Sequence, residues 1–290
     1  MCKPHREVLM SVIAACLLAL IVGITEFLPL SGSGQLFVFS KFFGICVTDA
    51  LFHSFRAALY FGSAFGALLY YRTQVLDIFR DRLIFLGLVR PVGKPRGMDF
   101  GKRLGMLVLI ATLPLVPALL LNNLRKTLET GPYALAVVSF LFGISGTILY
   151  FTTRGACECR GIHETELSDA ALAGLFQVGA IFPGFSRTGI VLSILMCRDL
   201  EGPAAMELSG LMGIPALIAA GLVERNSASR AEGVPPETAL LGLAFAVSAL
   251  AVFFTIRTVT EWLSSHRPTC FSYWCWGTAL LSLTLFLISA

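Results

Sequence analysis

Six stretches of this chain read as apolar runs of spanning length: 52–72, 103–122, 132–152, 204–224, 237–257 and 271–289. A hydrocarbon core of roughly 30 Å needs ~20 apolar residues in a helix, so each run is expected to cross a bilayer. Two further regions, 8–47 and 168–200, are apolar but interrupted. The first breaks at Thr25-Glu26-Phe27-Leu28-Pro29-Leu30-Ser31-Gly32-Ser33-Gly34. The second breaks at Pro183-Gly184-Phe185-Ser186-Arg187-Thr188-Gly189. Both breaks fall near the middle of a long apolar stretch. Irregular backbone at membrane depth is tolerated only where protein or a wet cavity satisfies it. Each region is therefore expected to be a re-entrant helix pair that enters and leaves by one face.

The order is broken pair, three spans, broken pair, three spans. Three spans separate the pairs, so the second pair must enter from the opposite face. The pattern predicts an all-α integral membrane protein with six transmembrane helices and two re-entrant pairs. It forms one membrane domain of two inverted-repeat halves, 8–152 and 168–289, whose broken tips meet near the midplane. Paired interrupted segments of this kind point to a binding site.

Composition agrees. Charged residues make up 14% of the 290 and apolar residues 56%, against roughly 25% charged in an ordinary soluble domain. This excludes a cytosolic enzyme, a secreted disulfide scaffold, a disordered chain and a nucleic-acid binder. Most of the eight cysteines lie in apolar runs, where they act as small hydrophobes. Cys157 and Cys159 lack the second ligand pair of a zinc site. Lys3, His5 and Arg6 precede an apolar run that continues past Cys16, so the start reads as a retained membrane segment rather than a cleaved signal. The segment 73–103 carries Arg80, Arg82, Arg90, Lys94, Arg96, Lys102 and Arg103 and is expected to be a cytoplasmic loop. Loops at 123–131 and 225–236 then lie outside, although Arg125 and Lys126 run against this.

Within the breaks, Glu26 stands out. A carboxylate in an apolar run is costly and marks function by default; a carboxylate at an interfacial helix end is the plainer alternative. The small residues Ser31-Gly32-Ser33-Gly34 follow it, and they let backbone N–H groups approach an anion closely. Gln35 then opens a return helix whose positive end would face that anion. Arg187 is the second outstanding residue. Its planar fork suits bidentate phosphate binding, and Ser186, Arg187 and Thr188 open another helix N-terminus. The alternative is an arginine that pairs with Glu26 to hold the tips together. Glu207, Arg198 and Gln177 read as structural, and His53 as interfacial. One carboxylate, one arginine and several hydroxyls beside a phosphate cradle invite Mg²⁺ or Ca²⁺ and suit phosphoryl transfer. A site at bilayer depth suits a substrate with a lipid tail.

Over nearly its whole length the chain resembles the undecaprenyl-pyrophosphate phosphatases, the bacitracin-resistance membrane phosphatases. Gly23-Ile24-Thr25-Glu26-Phe27-Leu28-Pro29-Leu30-Ser31 matches the first signature of that family, and Pro183 to Gly189 the second. Ser209-Gly210-Leu211-Met212-Gly213-Ile214-Pro215 looks like the span that follows. The resemblance implies removal of the terminal phosphate from a C55 isoprenoid pyrophosphate, with a divalent cation. The site would open to the periplasmic side of a bacterial inner membrane, and the reaction would recycle the cell-wall lipid carrier. It makes Glu26 catalytic or metal-binding, and Arg187 and Ser186 pyrophosphate-binding or catalytic. Ser31, Ser33, Gly34, Gln35, Gly184 and Thr188 would contact substrate; a homodimer is left open.

The chain departs from that family at four positions. Val22 stands where an acidic residue or Gln is usual, and Val191 where Thr is usual. Ser31-Gly32-Ser33-Gly34-Gln35 replaces Ser-Ser-Thr-Gly-His. Glu26 could activate water without the missing groups, Ser31 or Ser33 could serve as nucleophile, or the chain could have kept binding and lost chemistry. Retained phosphatase activity is the favoured expectation. A non-catalytic carrier or sensor of a lipid phosphate is the alternative.

Overall fold

Proline, glycine and serine punctuate a chain that is otherwise helical. The computed structural model describes residues 12–43, 50–85, 100–154, 159–230 and 238–289. The basic N-terminal residues, Cys2, Cys46, Cys157, Arg90, Lys94 and Arg96 lie outside these. α1 (Val12–Phe27) ends before Pro29, and α2 (Gly32–Phe42) starts under the Ser31 cap. α3 (Ala50–Tyr70) and α4 (Arg72–Phe85) follow. α5 (Phe100–Thr112) stops at Pro114, and a short α6 (Leu115–Ala118), a 3-10 turn (Leu119–Leu121) and α7 (Asn122–Thr130) continue its path. α8 (Ala134–Arg154) completes the first half. α9 (Leu167–Phe176) runs into a 3-10 segment (Gln177–Ile181) that ends before Pro183, and α10 (Arg187–Cys197) leaves under the Ser186 cap. α11 (Gly202–Ala228), α12 (Thr238–Leu263) and α13 (Cys270–Ser289) close the chain.

Among the described residues, five segments are long and apolar enough to cross a membrane: Phe100–Thr130, Ala134–Thr152 and the three C-terminal helices. The sixth expected span, α3, is long enough at about 30 Å but is not among them. It carries His53, Ser54, Arg56 and two glycines, and it packs against α11 and α12. Over half of its residues are buried, Arg56 included. Two expected loops are helical. The basic segment 73–103 begins as α4, whose sequence lacks both proline and glycine and which packs on α5. The 123–131 loop is α7. The 103–122 run is not one helix, because Pro114 and Pro117 each remove a backbone donor.

The two broken regions are helix pairs, as the sequence predicted: α1 packs on α2, and α9 on α10. The halves interleave. α3 lies between α11 and α12, α1 packs on α12, and α13 packs on α8. One core gathers Phe27, Tyr71, Leu104, Leu195 and Met212; another gathers Leu18, Leu36, Phe55, Val138 and Phe142. Outside them lie exposed Leu120, Phe140, Phe151, Leu250 and Ile288, the side chains a bilayer would cover.

Candidate functional site: a cavity under two crossed helix tips

The two tips cross at Gly34 and Gly184. A Cβ on Gly34 would stand 2.5 Å from the Gly184 nitrogen, and Gly184 itself has φ +96°. Serines stitch the crossing reciprocally. Ser31 Oγ accepts from Gly34 N at 3.3 Å, which caps its own helix, and from Gly184 N at 3.1 Å on the other tip. Ser186 Oγ accepts from Gly189 N at 3.0 Å, capping α10, and from Ser31 N at 3.2 Å. Thr188 adds a bond to the Glu26 carbonyl at 2.9 Å, and Ser145 Oγ accepts from Ser186 N at 3.1 Å. Ser31 is held at φ +59°, a left-handed conformation uncommon outside glycine.

This pattern leaves the first N–H groups of both helices without a described partner. Gly34 and Gln35 of α2 donate to Ser31, and Gly189 and Ile190 of α10 donate to Ser186. The N–H groups of Gly32, Ser33, Arg187 and Thr188 are the orphan donors of two helix starts. Two such starts at one place make an anion cradle.

An open cavity lies beside them, lined by Glu26, Ser31, Gly32, Ser33, Ser186 and Arg187 among others. Glu26 and Arg187 are close enough for their charges to interact, yet among the described residues no ion pair joins them. Arg187 donates instead to the Ser209 carbonyl at 3.0 Å and to Thr188 at 3.4 Å. Glu26 Oε2 and Arg187 Nε are both buried without a partner. The reading of Arg187 as a tie for Glu26 is therefore not what the geometry shows. Both groups keep bonding capacity for something else.

Of the sequence-predicted site residues, Glu26, Arg187, Ser186, Ser31 and Ser33 face the cavity. Gly34, Gly184 and Thr188 build the crossing behind it. Gln35 is turned away: its amide donates to the Leu30 carbonyl at 3.4 Å and to Thr278 at 3.2 Å. Gln177, read as structural, donates to the Ala111 carbonyl at 2.6 Å while also lining the cavity. Arg198 caps α10 and pairs with Asp169 at 2.6 Å, and Glu207 meets Gln74.

The cavity also borders a cluster the sequence reading missed. Arg56 of α3 reaches Glu129 at 3.1 Å and Glu224 at 3.4 Å; Arg125 of α7 reaches Glu129 at 3.0 Å and Glu224 at 2.9 Å. The four side chains close a ring, each at most 7% exposed. His53, expected at an interface, contacts Glu224 at 2.6 Å. Arg56 also donates to the Tyr60 hydroxyl at 3.4 Å. The rule that marked Glu26 applies equally to Arg56 and Glu224, both charges in apolar runs. Arg125 and Glu129 carry the i, i+4 spacing of a helical ion pair.

The model of the family described as bacitracin resistance protein BacA matches residues 15–281. The chain belongs to the BacA family. An undecaprenyl-diphosphatase of Anaeromyxobacter sp. is 31% identical over 91% of this chain and 84% of its own length. Undecaprenyl-diphosphatase 1 of Streptomyces coelicolor is 30% identical over 89% of both. One of Cutibacterium acnes is 29% identical over 90% of this chain and 92% of the relative. Like the resemblance in its two broken motifs, the BacA match runs through both helix pairs, and the fold is that of a multi-pass helical membrane protein.

Proposed function

We propose that this chain is an undecaprenyl-diphosphatase: it hydrolyses undecaprenyl pyrophosphate to undecaprenyl phosphate and phosphate, returning the lipid carrier to cell-wall synthesis. The observation that carries the reading is a buried carboxylate and a buried guanidinium that share a cavity and do not pair, beside two helix N-termini. Such a site neutralises charge and positions groups, which is most of what phosphoryl transfer requires.

In this reading the terminal phosphate sits on the N–H groups of α2 and α10, and Arg187 takes its equatorial charge. Ser31 and Ser186 hold the two helix starts in place. Glu26 orients a water molecule and accepts its proton as the water oxygen attacks the terminal phosphorus. The anhydride P–O bond breaks, and its electron pair leaves with the lipid phosphate. Ser31 Oγ, which already accepts two backbone bonds, is the less suited of the two serine nucleophiles. Ser33 faces the cavity with no described partner.

A divalent cation, Mg²⁺ or Ca²⁺, belongs to the proposal. Among the described residues no cluster of three or more His, Cys, Asp or Glu stands ready for a metal. The partnerless Glu26 oxygen fits a cation held by one carboxylate and completed by substrate oxygens, a common arrangement for Mg²⁺. Such a cation would supply further neutralisation of phosphate charge.

We place the protein in a bacterial inner membrane with the cavity opening outward. The basic α4 follows the C-terminal end of α3, and the Arg56 ring lies near its other end. Basic residues favour the cytoplasmic side.

The test is phosphate release from undecaprenyl pyrophosphate by purified protein, with Mg²⁺, Ca²⁺ or EDTA. Release that disappears in Glu26→Gln and Arg187→Ala supports the reading. Bound substrate without release, in the wild-type protein, favours a carrier.

A further inference from the structure

The cavity has two polar stations, and the reaction above uses only one. The second is the Tyr60 hydroxyl, one helical turn along α3 from Arg56. Tyr60 is 5% exposed, lines the cavity, and lies within electrostatic reach of both Glu26 and Glu224. It shares the cavity with the cradle residues Glu26, Ser33 and Arg187 and with the ring residues Arg56, Arg125 and Glu224. Arg56 donates to its oxygen. A guanidinium has no acceptor to offer in return, so the phenol must place its own proton elsewhere. Among the described residues nothing accepts it.

Arg56 is not free to turn away. It is fixed by both carboxylates of the ring, and those are fixed in turn by Arg125. The ring is neutral as two guanidiniums and two carboxylates, and its members bond one another, with Arg56 Nε buried and without a partner among the described residues. Arg56, Arg125 and Glu224 line the cavity themselves, and the ring also holds Arg56 against Tyr60 and so orients the phenol.

We propose that Tyr60 is a substrate-contacting residue that reads the second phosphate, so that the site distinguishes a lipid diphosphate from the lipid monophosphate it produces. This rests on the phosphatase reading. One phosphate is held at the cradle by Arg187 and the helix starts, and the other receives the Tyr60 O–H. A monophosphate fills one station and leaves the second to water, which favours release of product over substrate. Arg56 is a positioning residue that acts through Tyr60.

Tyr60→Phe removes the hydroxyl and keeps the ring packing. Hydrogen bonds to charged groups are worth enough that KM for undecaprenyl pyrophosphate should rise roughly tenfold or more. Inhibition by undecaprenyl phosphate should stay within about twofold, because that ligand never used the bond. Arg56→Lys keeps the charge but loses the fork. Combined with Tyr60→Phe it should add nothing to the KM change, since both act on one bond. The thermal midpoint in detergent reports folding of each variant. Equal shifts for diphosphate and monophosphate, an unchanged KM in Tyr60→Phe, or additive effects in the double variant would overturn the proposal. If the wild-type protein releases no phosphate, the phosphatase reading fails first. Equilibrium binding of the two lipids to wild type and Tyr60→Phe, in EDTA, then decides the Tyr60 proposal by the same selectivity.

Discussion

The carboxylate of Glu26 lies in the space where a side chain on Gly32 would begin. A Cβ built there would collide with Oε2 and crowd the Glu26 Cα at 3.1 Å. Gly32 is thus not simply a missing hydroxyl. It is the clearance that lets this carboxylate fold against the start of α2 and look into the cavity.

Gly32→Ala should move the carboxylate and spare the fold, because Oε2 is the end of a flexible side chain. Misplacing a reacting group by an ångström can cost about a hundredfold. The expected result is a loss of that order in kcat/KM for phosphate release, with an unchanged thermal midpoint. Arg187 offers a parallel: its guanidinium rests against Gly213, 2.5 Å from where a Cβ would stand. Gly213→Ala should cut activity likewise. Full activity in both variants would mean that the carboxylate and guanidinium positions described here do not govern the reaction.

The crossing should be less forgiving. Gly184 has φ +96°, and a Cβ there would stand 2.7 Å from the Val138 carbonyl. Gly184→Ala therefore meets backbone strain of about 1–3 kcal/mol and a clash with backbone that has little room to yield. Both stability in detergent and activity should fall. Retained stability with lost activity would show instead that the crossing adjusts while the cradle does not.

The ring predicts a stability effect that depends on which residue is removed. Glu224→Ala leaves Arg56 and Arg125 facing each other through one carboxylate, and breaking a buried pair in this way costs about 3–5 kcal/mol. Glu261, which pairs only with Arg257 at 65–67% exposure, is the control; its alanine variant should change stability by less than about 1 kcal/mol. Thermal unfolding followed by circular dichroism separates the two. A Glu224→Ala protein as stable as the wild type would show that the ring contributes no cohesion.

Chelation should stop turnover without unfolding the protein. The proposed cation has one protein carboxylate and otherwise substrate oxygens, so it has little folding energy to lend. EDTA should abolish phosphate release, Mg²⁺ or Ca²⁺ should restore it, and the thermal midpoint without substrate should be the same in both states. Undiminished release in EDTA would remove the metal from the proposal.

The sequence made the tips legible because their chemistry is local. Pro29 and Pro183 break helices wherever they stand, and Ser31 and Ser186 cap whatever follows within three residues. Glu26 was conspicuous against its apolar neighbours for the same reason. Arg56 and Glu224 fall under the same rule as Glu26, but their joining into a ring was not legible, because the four members come from α3, α7 and α11. The sixth expected span, α3, stands apart for a related cause. α3 needs less apolar surface because over half of it is packed against other helices, chiefly α11 and α12. The helical nature of 72–85 was hidden by charge, which suggested a loop while an unbroken run of helix-compatible residues lay beneath.

The bond from Ser31 N–H to Ser186 spans 155 residues of sequence. At ordinary rates of synthesis the chain needs roughly ten to thirty seconds to supply the partner. For that interval the Ser31 N–H lacks the acceptor it has in the finished fold. The first tip is thus finished by the second, and the two halves of the chain are tied into one folding unit at this bond.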